Sequence, residues 1–207
     1  KLGAKFTKWR GVYNISKNYP SKLSIESNAH ALARYSALVQ ECDMVPIVEP
    51  EVLMDGSHGI DDCFDVTSNT LNVVFDYLDK HDVYLEGILL KPNMVISGKN
   101  SNNRADKYQV AELSLKCFQN SVPSEVPGII FLSGGQEDVE SIENLDEINK
   151  IAKQNQMPWE LSFSYGRGLQ SSTLKKWAGK MENIEAAQSE LISRCEQVSL
   201  ARQGLVN

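Results

Sequence analysis

The sequence predicts an α/β fold: the last five βα units of a (β/α)8, or TIM, barrel, followed by C-terminal helices. Three observations predict it. Short apolar runs alternate with amphipathic helical stretches along the chain, the pattern of parallel strands joined by crossover helices. Each apolar run ends in charged or glycine-containing sequence, and such barrels build their sites at the C-terminal ends of the strands. No Pro/Ser-rich linker, repeat or low-complexity segment breaks the pattern, so residues 1–207 read as one domain. Five strands do not close an eight-stranded barrel, so about three further units are expected before the first residue.

The first strand is Lys5 to Val12. Its side-chain period of two puts Lys8 and Arg10 on one face and Trp9 on the other. Pro20 and Ser21 open a long helix with Leu32, Tyr35 and Val39 inward. Met44 to Val48 is the second strand, stopped by Glu49-Pro50-Glu51. A loop from Met54 to Ile60 leads to a helix with Leu71, Val74, Phe75 and Leu78 on one stripe. Leu85 to Met94 reads as a buried strand entered through Gly87, carrying Lys91 and stopped by Pro92. A polar loop from Gly98 to Asp106 has the composition of a mobile segment and precedes a helix with Val110, Leu113 and Cys117. Pro127 to Leu132 is the fourth strand and ends in Ser133-Gly134-Gly135. An acidic helix spans about Gln136 to Asn155, with Val139, Ile142, Leu145 and Ile148 inward. Leu161 to Tyr165 is the fifth strand and ends in Gly166-Arg167-Gly168. Of the two closing helices, the last puts Ile184, Ala187, Leu191, Cys195 and Val198 on one side.

The totals exclude several classes. The net charge is −6 and no basic run exceeds two adjacent residues, which argues against nucleic acid. No apolar run approaches the ~18 residues of a membrane span. Cys42, Cys63, Cys117 and Cys195 are widely spaced and read as reduced, mostly packed thiols of a cytoplasmic protein. His30, His58 and His81 are scattered, so neither a metal site nor any other cofactor is indicated.

The strand ends carry the chemistry. A lysine at the end of an apolar strand is either a snorkelling surface residue or an amine held ready to attack a carbonyl. Lys8 is the second cation that would lower the pKa of Lys91. Glu49, in an apolar strand, is the carboxyl group that would shuttle the protons of imine formation. Ser133-Gly134-Gly135, lying between a strand and a helix, can turn backbone N–H groups on an anion near the helix N-terminus. Gly166 allows close backbone approach, and Arg167 offers a fork matched to phosphate. Together these parts describe iminium chemistry on a phosphorylated keto-sugar.

The same segments carry a resemblance. Lys8-Trp9-Arg10, Val45 to Glu51, Leu85 to Met94, Gly128 to Gln136 and Phe163 to Arg167 resemble the motifs of class I fructose-1,6-bisphosphate aldolases, in order and nearly in spacing. The resemblance implies reversible, metal-independent cleavage of fructose 1,6-bisphosphate into two triose phosphates within glycolysis. It implies Lys91 as the Schiff-base lysine and Glu49 as general acid/base. It gives Glu51 the ordering of the site and Lys8 electrostatic tuning and substrate contact. Arg10 would face the 6-phosphate side, and Ser133, Gly134, Gly166 and Arg167 would hold the 1-phosphate, with Gly135 and Ser164 among the substrate- and phosphate-binding residues. A cytoplasmic homotetramer is the form it implies. The family's first three strands, with a catalytic Asp and a further Lys, and its C-terminal tail ending in a Tyr have no counterpart in this sequence.

Three rival readings remain. A zinc-dependent aldolase needs clustered histidines. A transaldolase-like enzyme handles one phosphate, whereas Arg10 and the Ser133/Arg167 pair suggest two anion sites. A catalytically incomplete fragment would bind phosphosugars or proteins only; retention of Lys8, Glu49 and Lys91 together argues against lost chemistry.

Overall fold

A computed structural model describes residues 2–206. Five parallel strands lie in the order β1-β2-β3-β4-β5. They are β1 (Phe6–Tyr13), β2 (Val45–Val52), β3 (Leu89–Leu90), β4 (Gly128–Phe131) and β5 (Glu160–Phe163). The crossover helices are α1 (Lys22–Gln40), α2 (Ile60–Lys80), α3 (Lys107–Ser121) and α4 (Asp138–Gln154); α5 (Arg167–Trp177) and α6 (Ile184–Arg202) close the chain. Helices cover one face of the sheet, and α6 packs on both α4 and α5. The opposite face carries the charged residues.

Local chemistry sets the helix starts. The Ser21 hydroxyl accepts from the Ser24 N–H at 3.2 Å. The Asp62 carboxylate accepts from the Gly59 N–H at 3.0 Å, and Asp61 and Asp62 suit the positive end of α2. Asp106 accepts from Tyr108 and Gln109 while Gln109 accepts from the Asp106 N–H, a reciprocal cap on α3.

The core lies between helices and sheet. Leu32, Leu71, Val74 and Leu78 meet Val48, Ile88 and Leu90 there, and Phe118 stacks on Phe131 with centroids 5.7 Å apart. Each such side chain contributes roughly 1.5–3 kcal/mol by leaving water. A Cβ on Gly11 would meet Asn28 at 3.3 Å and Leu32 at 3.5 Å, so the missing side chain lets α1 lie close on β1.

Several elements depart from the sequence reading. β2 does not stop at Val48 but pairs with β1 through Val52. The Val48 carbonyl accepts from the Lys91 N–H at 2.8 Å, so even-numbered residues of β2 turn their backbone groups toward β3. Pro50 shares that direction, and the β3 ladder ends at Leu90, so its missing N–H breaks no bond. The Lys91 segment is less strand-like than expected: Leu85–Gly87 forms a 3-10 turn and only Leu89–Leu90 pair as a strand. Gly87 fits because a Cβ there would strike Tyr84 at 2.9 Å.

Two helix faces also differ. Val139 is exposed, while Asn144, Asp146 and Asn149 are buried beside Ile142, Leu145 and Ile148. Those polar groups are satisfied: Asn144 donates to Gln136, Asn149 to the Leu145 carbonyl, and Asp146 accepts from the Val206 N–H. On α6, Leu191 and Cys195 are exposed, and Ala187, Arg194, Val198 and Ala201 are the buried positions. The thiols divide evenly. Cys42 and Cys195 are exposed; Cys63 and Cys117 are buried, and burial pushes the Cys117 thiol up to about 12. The Gly98 to Asp106 loop is tethered. Backbone bonds run from Gly98 to His58, Lys99 to Met54 and Asn100 to Gly56, and Arg104 pairs with Glu140.

Asn93 finishes what the β3 ladder leaves open. It is 2 % exposed, and its Oδ1 accepts from the Val52 N–H at 2.9 Å. Its Nδ2 donates to Thr67 on α2 at 3.1 Å. Asn93→Ala strands the buried Val52 N–H, and a loss of about 1–3 kcal/mol is expected. A denaturant midpoint unchanged at constant slope would contradict this.

Candidate active site

The inner face of β1 and β2 carries a ladder of opposite charges. Lys8 stands opposite Ile47 and Arg10 opposite Glu49 in the register. Each cation reaches one step further, to the carboxylate two residues past its partner. Lys8 Nζ lies 2.9 Å from Glu49 Oε2, and Arg10 Nε donates to Glu51 Oε2. From the end of β3, Lys91 Nζ lies 3.3 Å from Glu49 Oε1. Glu49 therefore sits between two ammonium groups.

Glu49, Glu51 and Lys91 are 3 %, 4 % and 8 % exposed, while the Lys8 and Arg10 side chains are nearly half exposed. Charges this far from water persist only when paired. The Glu51 hydrogen bond holds Arg10 above its ordinary pKa, against burial and with help from the charges of Glu51 and Glu49. Glu49 Oε2 is ion-paired with Lys8 but has no hydrogen-bond partner among the described residues. A buried carboxylate oxygen with a free lone pair beside an amine is what proton exchange requires.

The opposite wall is built from the ends of β4 and β5. Ser133 is buried, and Gly134 and Gly135 have φ of +60° and +89°, a turn that glycine makes without strain. The sequence points to the helix after this turn as the anion's helix. In the structure the starts of the two flanking helices differ. Glu137, Asp138 and Glu140 occupy the start of α4, and Glu140 caps it. The first turn of α5 instead carries no acidic residue and no side-chain cap, and it begins at Gly166 and Arg167. Gly168 packs against Ser133, its Cβ position 3.2 Å from the serine Cβ, so the two strand ends abut.

Between these walls is a cleft of about 300 Å³. Every sequence-predicted residue lines it save Gly135, which lies behind the wall near the Arg167 guanidinium and Met54. Lys8, Arg10, Lys91 and Arg167 face only Glu49 and Glu51 as countercharges, so the cleft favours an anion. Lys8, Arg10, Glu49 and Glu51 are within strands, not beyond their ends, because β1 and β2 are eight residues long and β4 and β5 only four.

Sequence reasoning missed the residues that brace the cleft. Asn93 is one; its position two residues after Lys91 was the only signal. His58 is another. It is 8 % exposed, neither ring nitrogen has a hydrogen-bond partner among the described residues, and its carbonyl accepts from Gly98 at 2.9 Å. It thus fills the join between the loops that follow β2 and β3. Burial pushes its pKa down, with Asp62 opposing. The third is Arg194, buried on α6.

The family model for class I fructose-bisphosphate aldolase matches residues 1–207. The chain belongs to the class I fructose-bisphosphate aldolase family. Among curated aldolases, cytosolic aldolase 4 of Arabidopsis thaliana is 47 % identical over 99 % of this chain and 51 % of its own length. The aldolase of Dictyostelium discoideum is 46 % identical over 99 % of this chain and 57 % of its own. Chloroplastic aldolase 2 of Arabidopsis is 50 % identical over half its length. The chain thus spans about half the length of these curated relatives. Among solved structures, fructose-bisphosphate aldolase from Plasmodium falciparum, crystallised with TRAP and a small-molecule inhibitor, superimposes with a TM-score of 0.95 at 44 % identity. That match covers 99 % of this chain and 59 % of the other, so the five βα units are those of an aldolase TIM barrel. No described helix of this chain is long and apolar enough to cross a membrane.

The depressed pKa of His58 has a measurable consequence. The unfolded chain takes up a proton on this imidazole near pH 6.5, and the folded chain only at lower pH. The stability tied to neutral His58 is therefore complete above that value and is lost as pH falls below it. Relative to His58→Leu, the native sequence should lose stability as pH falls below about 6.5. Parallel stability–pH curves from urea unfolding would disprove it.

Proposed function

We propose that this chain carries out the chemistry of class I fructose-bisphosphate aldolase: reversible cleavage of fructose 1,6-bisphosphate into dihydroxyacetone phosphate and glyceraldehyde 3-phosphate through a Schiff base on Lys91. The observation that carries this reading is the placement of Glu49 within ion-pair distance of both Lys8 and Lys91, across a cleft from Ser133, Gly166 and Arg167. Family membership supports the substrate class.

Family membership and the placement of Glu49 between Lys8 and Lys91 support the following steps. Glu49 takes a proton from Lys91, and the free amine attacks the C2 carbonyl. The carbinolamine accepts a proton at its hydroxyl from Glu49 and loses water, which leaves an iminium. The C3–C4 electron pair flows into that iminium as the C4 hydroxyl gives its proton to the Glu49 carboxylate and the aldehyde departs. Glu49 returns that proton to C3 of the resulting enamine, and water adds to the iminium so formed, its proton passing through Glu49 to the departing nitrogen, which releases the second triose phosphate and the Lys91 ammonium. Glu51, bound to Arg10, keeps the charge ladder in register. Arg10 faces the 6-phosphate, and Ser133, Gly134, Gly166 and Arg167 hold the 1-phosphate, with Ser164 on the same wall of the cleft. No metal is needed, because the iminium is the electron sink.

Residues 1–207 are read as a single barrel domain of a homotetramer acting in the cytoplasm. The family resemblance supports the tetramer, and the cytosolic relatives support the compartment.

Mass spectrometry after treatment with fructose 1,6-bisphosphate and borohydride, with EDTA present, tests the reading. A covalent adduct on Lys91 is expected, and none with Lys91→Met. A folded native chain that stays unlabelled would sink the proposal. Glu49→Gln should keep the fold and lower kcat by about 10²–10⁴-fold, the usual share of a general acid/base.

A further inference from the structure

Arg194 lies on α6, outside the sheet, yet its side chain reaches both halves of the anion wall. It is 5 % exposed. Nη2 donates to the Gly168 carbonyl in the first turn of α5 at 2.7 Å. The same nitrogen reaches the Asp138 carbonyl in the first turn of α4 at 3.5 Å, and Nε lies 3.8 Å from the Asp138 carboxylate. Nη1 donates to Gln197 at 3.1 Å, which orients the fork from its own helix.

Packing alone does not ask for a charge here. The other buried positions of α6 are Ala187, Val198 and Ala201. A buried guanidinium is costly unless its donors are used, and replacement by an apolar side chain is often neutral for stability. What an apolar residue cannot do is tie two helix starts together. The α5 start carries Gly166 and Arg167; the α4 start follows directly on Ser133–Gly135. A fork with donors in fixed directions suits that bridge, and a lysine ammonium suits it less well.

We infer that Arg194 is a positioning residue of the anion site, locking the first turns of α4 and α5 at the spacing that lets Ser133, Gly166 and Arg167 converge on one phosphate group. The inference rests on the function proposed for the cleft and deepens it. Arg194 does not touch the substrate; it acts through Gly168 and Asp138.

The test uses the full chain with Arg194→Met, Arg194→Gln and Arg194→Lys. Inorganic phosphate binding is titrated, and borohydride trapping on Lys91 is compared for dihydroxyacetone phosphate and for phosphate-free dihydroxyacetone. Phosphate affinity should fall about 10–100-fold with Met or Gln, the scale of lost charge-assisted hydrogen bonds, with Lys in between. Trapping of the phosphorylated ketone should fall in step, while trapping of dihydroxyacetone stays at the native level. Folded variants that bind phosphate as tightly as the native chain would overturn the positioning role, as would equal loss of trapping for both ketones. Where the Met variant does not fold, the Gln and Lys variants decide between these outcomes. Absence of phosphate binding by the native chain would instead overturn the anion-site reading, and the positioning role with it.

Discussion

A carboxylate almost cut off from water, with an ammonium on each side, is the constraint around which the rest of this structure is arranged. Glu49 can be buried only because Lys8 and Lys91 come to it from the two neighbouring strands. That demand fixes the register of β1 on β2 and the point at which β3 ends. It also sets the division of the sheet into two faces. Trp9 turns to Tyr35 and the helices, while Lys8 and Arg10 turn to the cleft. A register slip of one residue would send the charges into the apolar layer.

Much of this was legible in the sequence because it rests on local rules. The period of two in Lys8-Trp9-Arg10 and the helical stripes of Leu71, Val74 and Leu78 report burial directly. The chemistry at the ends of the apolar runs gave nearly all the cleft residues. What was not legible depends on partners distant in the chain. Pro50 reads as a strand stop, yet it is harmless because the facing strand is short, a fact written around Leu90 and not around Pro50. Val139 reads as core by spacing alone; Asn144, Asp146 and Asn149 displace it because Gln136, Leu145 and Val206 satisfy them. Arg194 falls in a helix whose apolar pattern is weak, and nothing near it in sequence announces a buried charge.

The wall at the ends of β4 and β5 shows the same contrast. A glycine turn before a helix is a sound local signal, and Ser133 and Gly134 do line the cleft. Which helix N-terminus is electrostatically open depends on what caps each one. Acidic residues fill the start of α4 and leave the start of α5 as the positive end facing the cleft. The turn and the open helix come from successive βα units, brought together by the contact of Gly168 with Ser133.

The handover from β3 to Asn93 has a mechanical meaning. Two pins join the Lys91 segment to β2: the Lys91 N–H on Val48 and the Asn93 carboxamide on the Val52 N–H. With two pins the segment can neither swing nor slide, and the amine inherits its place from the pitch of a strand, ~3.3 Å per residue. The facing wall is made of turns and the first residues of a helix. Whatever freedom the cleft has to widen belongs to that wall, and the Lys91 side is the fixed one.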